Sequence, residues 1–248
     1  MNIANESELD KFIKQYPDTK MMEILMPDMN GIIRCKRIPR EEFSTFFCHG
    51  VKGPASTTLL NVRGEFCDEV DFANLEGDPD KLIYPIAGTL APISWLKSDT
   101  AQVLATFTEL DGSPALFDAR NILYKALLPL QAKGLRPAVA TELEFYLIKS
   151  GDGPLPELFL AKIPGTNVDQ SGTQYAMPED LWDNDQFLED VRLACELQNV
   201  PMTTVHSEFS PGQFEINLHH VGNPVTACDH AILLKRIIKG VARQHGMA

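Results

Sequence analysis

The chain has 248 residues, 44% hydrophobic and 23% charged, a folded-protein composition with length for one large domain or two ordinary ones. Its formal net charge of −12 leaves no basic face for phosphate backbones. That argues against a nucleic-acid partner, and it requires metal ions or locally placed arginines wherever an anionic substrate binds. No run approaches the ~18 apolar residues of a membrane helix. The polar, acidic start Met1-Asn-Ile-Ala-Asn-Glu-Ser-Glu8 is not a signal peptide. Five scattered cysteines (Cys35, Cys48, Cys67, Cys195, Cys228) include no C-x-x-C and read as buried free thiols in a reducing, cytoplasmic setting. The six histidines show no H-E-x-x-H spacing, which argues against a zinc enzyme.

In chain order, residues 6–16 have the spacing of a short amphipathic helix, with Leu9, Phe12, Ile13 and Tyr16 on one side. Residues 20–38 read as two strands joined at Asp28-Met-Asn-Gly31, an Asn-Gly hairpin signal. Strand-like runs follow at Leu82–Ile86 and Ala101–Phe107, and Asp111-Gly-Ser-Pro114 closes a small β-rich N-terminal domain, 1–114. The second domain, 115–248, opens with a helix capped by Asp118 and ended by Gly134. Its buried side is expected to carry Ile122, Leu123, Ala126, Leu127 and Leu130, and Pro129 should kink it. A strand over 136–148, a Gly/Pro-rich loop over 150–180, a helix over 185–199, a hairpin over 207–218 and a helix over 227–245 complete the chain.

The chemistry lies in the first of those strands and in the hairpin. With a period of two, the strand puts Ala138, Ala140, Glu142 and Glu144 on one face and Val139, Leu143, Phe145 and Leu147 on the other. In Ser207-Glu-Phe-Ser-Pro-Gly-Gln-Phe-Glu-Ile-Asn-Leu218, Pro211-Gly212 fits the centre of a type II turn. Closed around that dipeptide, the hairpin sets Glu208 opposite Glu215, with Cβ atoms roughly 5 Å apart, and like charges so placed destabilise the pairing. A cation would relieve them. Oxygen donors without thiolates favour Mg²⁺ or Mn²⁺, and such sites commonly hold substrate phosphates. His206 shares the Glu208 face, and Gln213 and Asn217 share the Glu215 face, so all three are candidate ligand-lining residues. An isolated E-x-E is more often a solvated strand face; two converging pairs shift the balance towards a site.

These segments resemble a known family. Ala140-Thr-Glu-Leu-Glu-Phe-Tyr-Leu147 is similar to the G-x-E-x-E-F metal-binding strand of glutamine synthetases, with Ala140 where Gly is usual. Glu208-Phe-Ser-Pro-Gly-Gln-Phe-Glu215 resembles their E-x-x-P-G-Q-x-E segment, and Ala242-Arg-Gln-His-Gly246 the stretch before their next active-site block. The N-terminal half is closest in tone to the γ-glutamyl-polyamine synthetase branch. The resemblance implies an α+β architecture: an N-terminal β-grasp domain, then an antiparallel catalytic sheet flanked by helices, assembled in homo-oligomeric stacked rings. It implies an ATP-dependent ligase that phosphorylates glutamate and passes the γ-glutamyl group to an amine, ammonia or polyamine. By motif, Glu144, Glu208 and Glu215 match ligands of the metal that orients glutamate, Glu142 a ligand of the ATP-linked metal, and the backbone near Asn217 approaches the nucleotide.

Two departures bear on that expectation. The family's Asp-Gly-Ser-Ser loop is not recognisable in Ser56-Thr-Thr-Leu-Leu-Asn-Val-Arg63, which favours a bulkier amine than ammonia. The family's later histidine, arginines and nucleotide loops lie beyond residue 248, so residues 1–248 alone are expected to hold part of an active site and to be inactive. The rival readings are a non-catalytic homologue that binds metal or oligomerises, and a metal-dependent phosphatase or nuclease, the acidic surface weighing against the nuclease.

Overall fold

The computed structural model describes residues 2–66, 77–149, 151, 153, 155–172 and 175–248, in two compact units, Met1–Arg136 and Pro137–Ala248. The first is organised by a mixed sheet. Strand β1 (Met21–Pro27) pairs antiparallel with β2 (Ile33–Pro39), and the expected turn between them forms: Gly31 takes φ +69° and gives its N–H to Asp28 O at 2.9 Å. The Asp28 side chain is buried but satisfied by Arg34 and by the N–H groups of Asn30 and Ile32. With β3 (Val51–Pro54), β4 (Asp80–Pro85), β5 (Ala91–Pro92) and β6 (Thr100–Thr108), the sheet order is β2-β1-β6-β4-β3, with β5 also on β6. Among its described strands only β1–β6 is a parallel pair.

Strand β6 is buried along its whole length. Ala101, Val103, Ala105 and Phe107 join Met22, Ile24 and Met26 of β1 in one core, with Leu9 and Phe12 of α1 (Glu6–Gln15) and Phe43, Phe46 and Phe47 of α2 (Phe43–His49). Helix α1 is the amphipathic helix foreshadowed by its spacing, and Asn5 caps it by accepting the Glu8 N–H at 3.2 Å. Helix α3 (Ala119–Ala132) has the expected Asp118 cap. One Asp118 oxygen accepts from the Arg120 and Asn121 N–H groups; the other accepts from Thr106 Oγ1 at 2.9 Å and the Phe107 N–H at 2.7 Å. Asn121 Nδ2 donates to Phe107 O and Ala115 O. These bonds tie α3 to the first sheet, so the compact units divide after Arg136, whereas the turn residues place a boundary at 114/115.

The apolar stripe of α3 departs from its periodicity. Of Ile122, Leu123, Ala126, Leu127 and Leu130, only Leu127 is buried; its buried companion is the polar Asn121. Asn121 serves the backbone of β6, and hydrogen bonding rather than hydrophobic spacing sets which side of the helix faces its own unit. The cysteines depart too. Cys35, Cys48 and Cys228 are exposed, and Cys67 lies outside the described residues. Cys195 alone among the described thiols is buried, and burial pushes it up to about 12.

The second unit centres on an antiparallel sheet of order β10 (Met202–Ser207), β11 (Gln213–Leu218), β7 (Glu142–Tyr146). One face is apolar: Phe145 and Phe214 are cross-strand partners whose rings stack at 6.1 Å, and Phe187 of α5 (Asp185–Leu197) meets Phe145 edge-on. Helix α6 (Pro224–Gln244), capped by Asn223, buries Leu234, Ile237, Ile238 and Val241, and its following residue His245 reaches Asp190 of α5 at 2.8 Å. A ribbon of β8 (Ile148–Lys149) and β9 (Glu157–Leu158) and the short helix α4 (Pro178–Asp183) occupy what reads in sequence as a loop. Asp180 of α4 is 1% exposed and its Oδ2 has no hydrogen-bond partner. Burial, then the charge of Asp183, pushes its carboxyl above the usual range; the Ser207 hydroxyl opposes this. Among the described residues no helix is long and apolar enough to cross a membrane.

Two outcomes are expected. Asp118→Ala removes a cap and strands buried donors of β6, so urea unfolding should show a loss of about 2–3 kcal/mol. A loss no larger than that of an exposed substitution would contradict the assigned bonds. For Asp180, a raised folded-state pKa means that the folded chain binds the proton more tightly. Its stability contribution is full below the unfolded carboxyl pKa of about 4 and is lost as pH rises through the folded value. The advantage of Asp180→Asn over the parent should therefore grow from pH 4 to pH 8, measured by denaturant midpoints; an advantage that shrinks with pH would overturn the assignment.

Candidate metal centre

Strand alternation builds the other face of the second sheet. The register sets His206 opposite Glu215, Glu215 opposite Glu144, Asn217 opposite Glu142, and Gln213 opposite Tyr146. One row, His206–Glu215–Glu144, thus crosses all three strands with Glu215 at its centre. Polar side chains concentrate here because the Phe145–Phe214 face takes the apolar ones.

The hairpin corrects one sequence expectation. Pro211 and Gly212 do occupy the turn, with the Gln213 N–H bonded to Ser210 O at 3.0 Å and Gly212 at φ +75°. The ladder, however, resumes with the Glu208 N–H on Gln213 O, then Ser207 opposite Phe214 and His206 opposite Glu215. Glu208 is therefore displaced by two positions from the directly opposed register. A two-residue type II loop splays strands of right-handed twist, and the chain relieves this with a wider loop over 209–212. An even shift keeps every side chain on its face, so Glu208 still meets Glu215, diagonally. Gly212 is fixed by its surroundings: a Cβ there would lie 3.2 Å from Phe159 O, and its own carbonyl accepts the Leu147 N–H.

His206, Glu208 and Glu215 each offer a donor atom within 4.8 Å of the other two, alone among the described histidines, cysteines and acids in forming such a group of three. His206 Nε2 lies 3.1 Å from Glu208 Oε1 and 3.7 Å from Glu215 Oε2. Their side chains are 27%, 16% and 12% exposed. The Glu208 carboxyl is held below its usual range chiefly by the Phe209 N–H, which donates to Oε2 at 2.8 Å, with smaller help from His206 and Glu215. Asn217 Nδ2 donates to Glu215 Oε1 at 2.7 Å, and Thr204 Oγ1 in turn to Asn217 Oδ1. Gln213 Nε2 donates to Glu144 Oε2 at 2.6 Å. Glu144 thus stands beside the group of three, oriented by Gln213, while Glu142 is exposed at the Asn217 end of the face.

The donor set fits a small divalent cation. Ligand bonds of about 2.1 Å put donor atoms ~3–4.2 Å apart, the spacing seen here. Two carboxylates suit Mg²⁺ or Mn²⁺, and the imidazole nitrogen favours Mn²⁺ of the two. His206 is the donor that the motif reading leaves in the ligand-lining set. Parity placed it on the right face, but its contact with both glutamates follows from the shifted register. Tyr175 carried no sequence signal, and its ring meets the His206 ring edge-on at 5.8 Å.

Comparison with known proteins identifies the family. The family model "Glutamine synthetase, catalytic domain" matches residues 116–248. The gamma-glutamylputrescine synthetase PuuA of Escherichia coli (strain K12) is 33% identical over 98% of this chain and 52% of its own length. The glutamate–isopropylamine ligase of a Pseudomonas species is 29% identical over 89% of this chain and 47% of its own length. The solved structure of apo GmaS superposes with a TM-score of 0.77 at 19% identity, over 97% of this chain and 51% of that one. The chain spans about half the length of the curated relatives it matches. It has a mixed α/β fold of the glutamine-synthetase type, and it belongs to the glutamine synthetase family.

Proposed function

We propose that this chain serves an ATP-dependent ligase that joins glutamate to an amine through γ-glutamyl phosphate. The observation that carries the reading is the single row His206–Glu215–Glu144, closed by Glu208, on the polar face of the second sheet. A divalent cation supplies charge neutralisation and orientation to the phosphoryl group being transferred. The residues of the chain divide the remaining work. His206, Glu208 and Glu215 hold the cation, and Glu144 adds a carboxylate from the neighbouring strand on the glutamate side. Glu142, farther along β7, serves the cation that accompanies ATP. Gln213 and Asn217 fix the carboxylates of Glu144 and Glu215 and line the nucleotide side, and their amides keep those oxygens aimed without adding charge.

The amine is an alkyl amine or polyamine. The family relatives are named for putrescine, isopropylamine and, in an Acinetobacter protein 26% identical over 92% of this chain, an anilide product. A β-grasp arrangement of the first sheet and assembly into rings of identical subunits belong to the same proposal.

The first test is a Mn²⁺ titration by calorimetry. Glu215→Gln should weaken binding at least about tenfold. It should leave the stability of the metal-free chain unchanged or slightly higher, since it removes a carboxylate facing Glu144 across the ladder. Unchanged Mn²⁺ affinity would contradict the assignment. In the active enzyme, kcat/KM for putrescine and short monoamines should exceed that for ammonium at the same pH. A clear preference for ammonium would refute the amine reading while leaving the cation site intact.

A further inference from the structure

On the apolar side of the second sheet, directly behind the cation-binding face, lies a polar connection that the proposed ligase chemistry does not use. Ser207 is fully buried and its side chain faces away from its neighbours His206 and Glu208. Its hydroxyl oxygen accepts the Met177 N–H at 3.0 Å, and its O–H is within reach of both Met177 O, at 3.4 Å, and the Asp180 carboxyl. Its backbone carbonyl accepts the Ala176 N–H at 3.0 Å. Ala176 has φ +57°, a conformation that L side chains rarely adopt, so the segment entering α4 is held in a costly turn by these bonds. The turn delivers Tyr175 to the opposite face of the sheet, where its ring stands against His206. A second anchor is less comfortable. Asp180 is buried with one oxygen unpartnered, so its carboxyl is held beside Ser207 at a cost in desolvation.

We propose that Ser207 and Asp180 are positioning residues: they clip residues 175–177 to β10, so that the Tyr175 ring fixes the orientation of the His206 imidazole towards Glu208 and Glu215. The clip acts through the sheet, from its apolar face to its polar one, because successive residues of β10 point to opposite sides. It rests on the cation-site reading only in its consequence for metal affinity; the effect on the His206 ring stands independently. Outer contacts that orient a ligating imidazole commonly change metal affinity by 10–100-fold, which sets the size of the effect sought.

The test combines Mn²⁺ titration with NMR of the histidine ring protons in the 248-residue chain, for Ser207→Ala, Ser207→Thr, Tyr175→Ala and the Ser207→Ala/Tyr175→Ala pair. Thermal unfolding confirms that each variant is folded. Ser207→Ala should weaken Mn²⁺ binding about tenfold and move the His206 ring resonances. Tyr175→Ala should do the same, and the double variant no more than either alone, since both changes break one chain of contacts. Ser207→Thr, which keeps the hydroxyl, should recover affinity to within about twofold. Asp180→Asn, still able to accept from Ser207 but without the charge, should fall between Ser207→Thr and Ser207→Ala. A folded Ser207→Ala chain with parental affinity and an unmoved His206 ring overturns the clip. If the parent chain itself binds no Mn²⁺, the cation reading fails, and the ring resonances alone decide: movement by both single variants sustains the clip, and no movement overturns it.

Discussion

The constraint on which the second unit turns is the crowding of carboxylates on one face of a three-stranded sheet. Glu144 and Glu215 are cross-strand partners, and Glu208 reaches Glu215 diagonally. Left alone, such a face repels itself. The chain sets partners around these carboxylates: an imidazole between Glu208 and Glu215, carboxamides on Glu144 and Glu215, and a backbone N–H on Glu208. These contacts orient the carboxylate oxygens on one face of the sheet.

Behind that face, rigidity comes from apolar packing. The Phe145–Phe214 stack and Phe187 hold β7 and β11 in register, and one register step would send every glutamate to the wrong side. Gly212 pins the loop against Phe159 and Leu147, and so fixes where Glu208 leaves the hairpin. The first unit uses a different device. Asp118 and Asn121 fasten α3 to β6 by hydrogen bonds, and of the helix's leucines only Leu127 is buried there.

What could be read from sequence follows this division. Strand periodicity and turn chemistry are local, so the E-x-E strand, the Pro-Gly turn, the Asn-Gly hairpin and the Asp118 cap are all legible from neighbouring residues. Side-chain parity placed Glu142 and Glu144 on one face of their strand and His206, Glu208, Gln213, Glu215 and Asn217 on one face of the hairpin; the pairing of β7 with β11 makes them a single face. Register is not local. The two-residue displacement of the hairpin depends on strand twist and on contacts with residues 158–160, so the meeting of His206 with both glutamates could not be read from motif spacing. The outward leucines of α3 were hidden for a similar reason: periodicity reports a stripe, and the partner that the stripe meets is decided elsewhere. Tyr175 and the buried Asp180 belong to a segment whose composition reads as loop, and their roles exist only through contacts with β10.

The most direct test of the cation face is a crystal structure of the chain grown with Mn²⁺, read by anomalous scattering. The account predicts one strong peak about 2.2 Å from His206 Nε2 and from a carboxylate oxygen of each of Glu208 and Glu215. A chain saturated with Mn²⁺ that shows no peak at this group, with its carboxylates turned to separate patches of solvent, would contradict it.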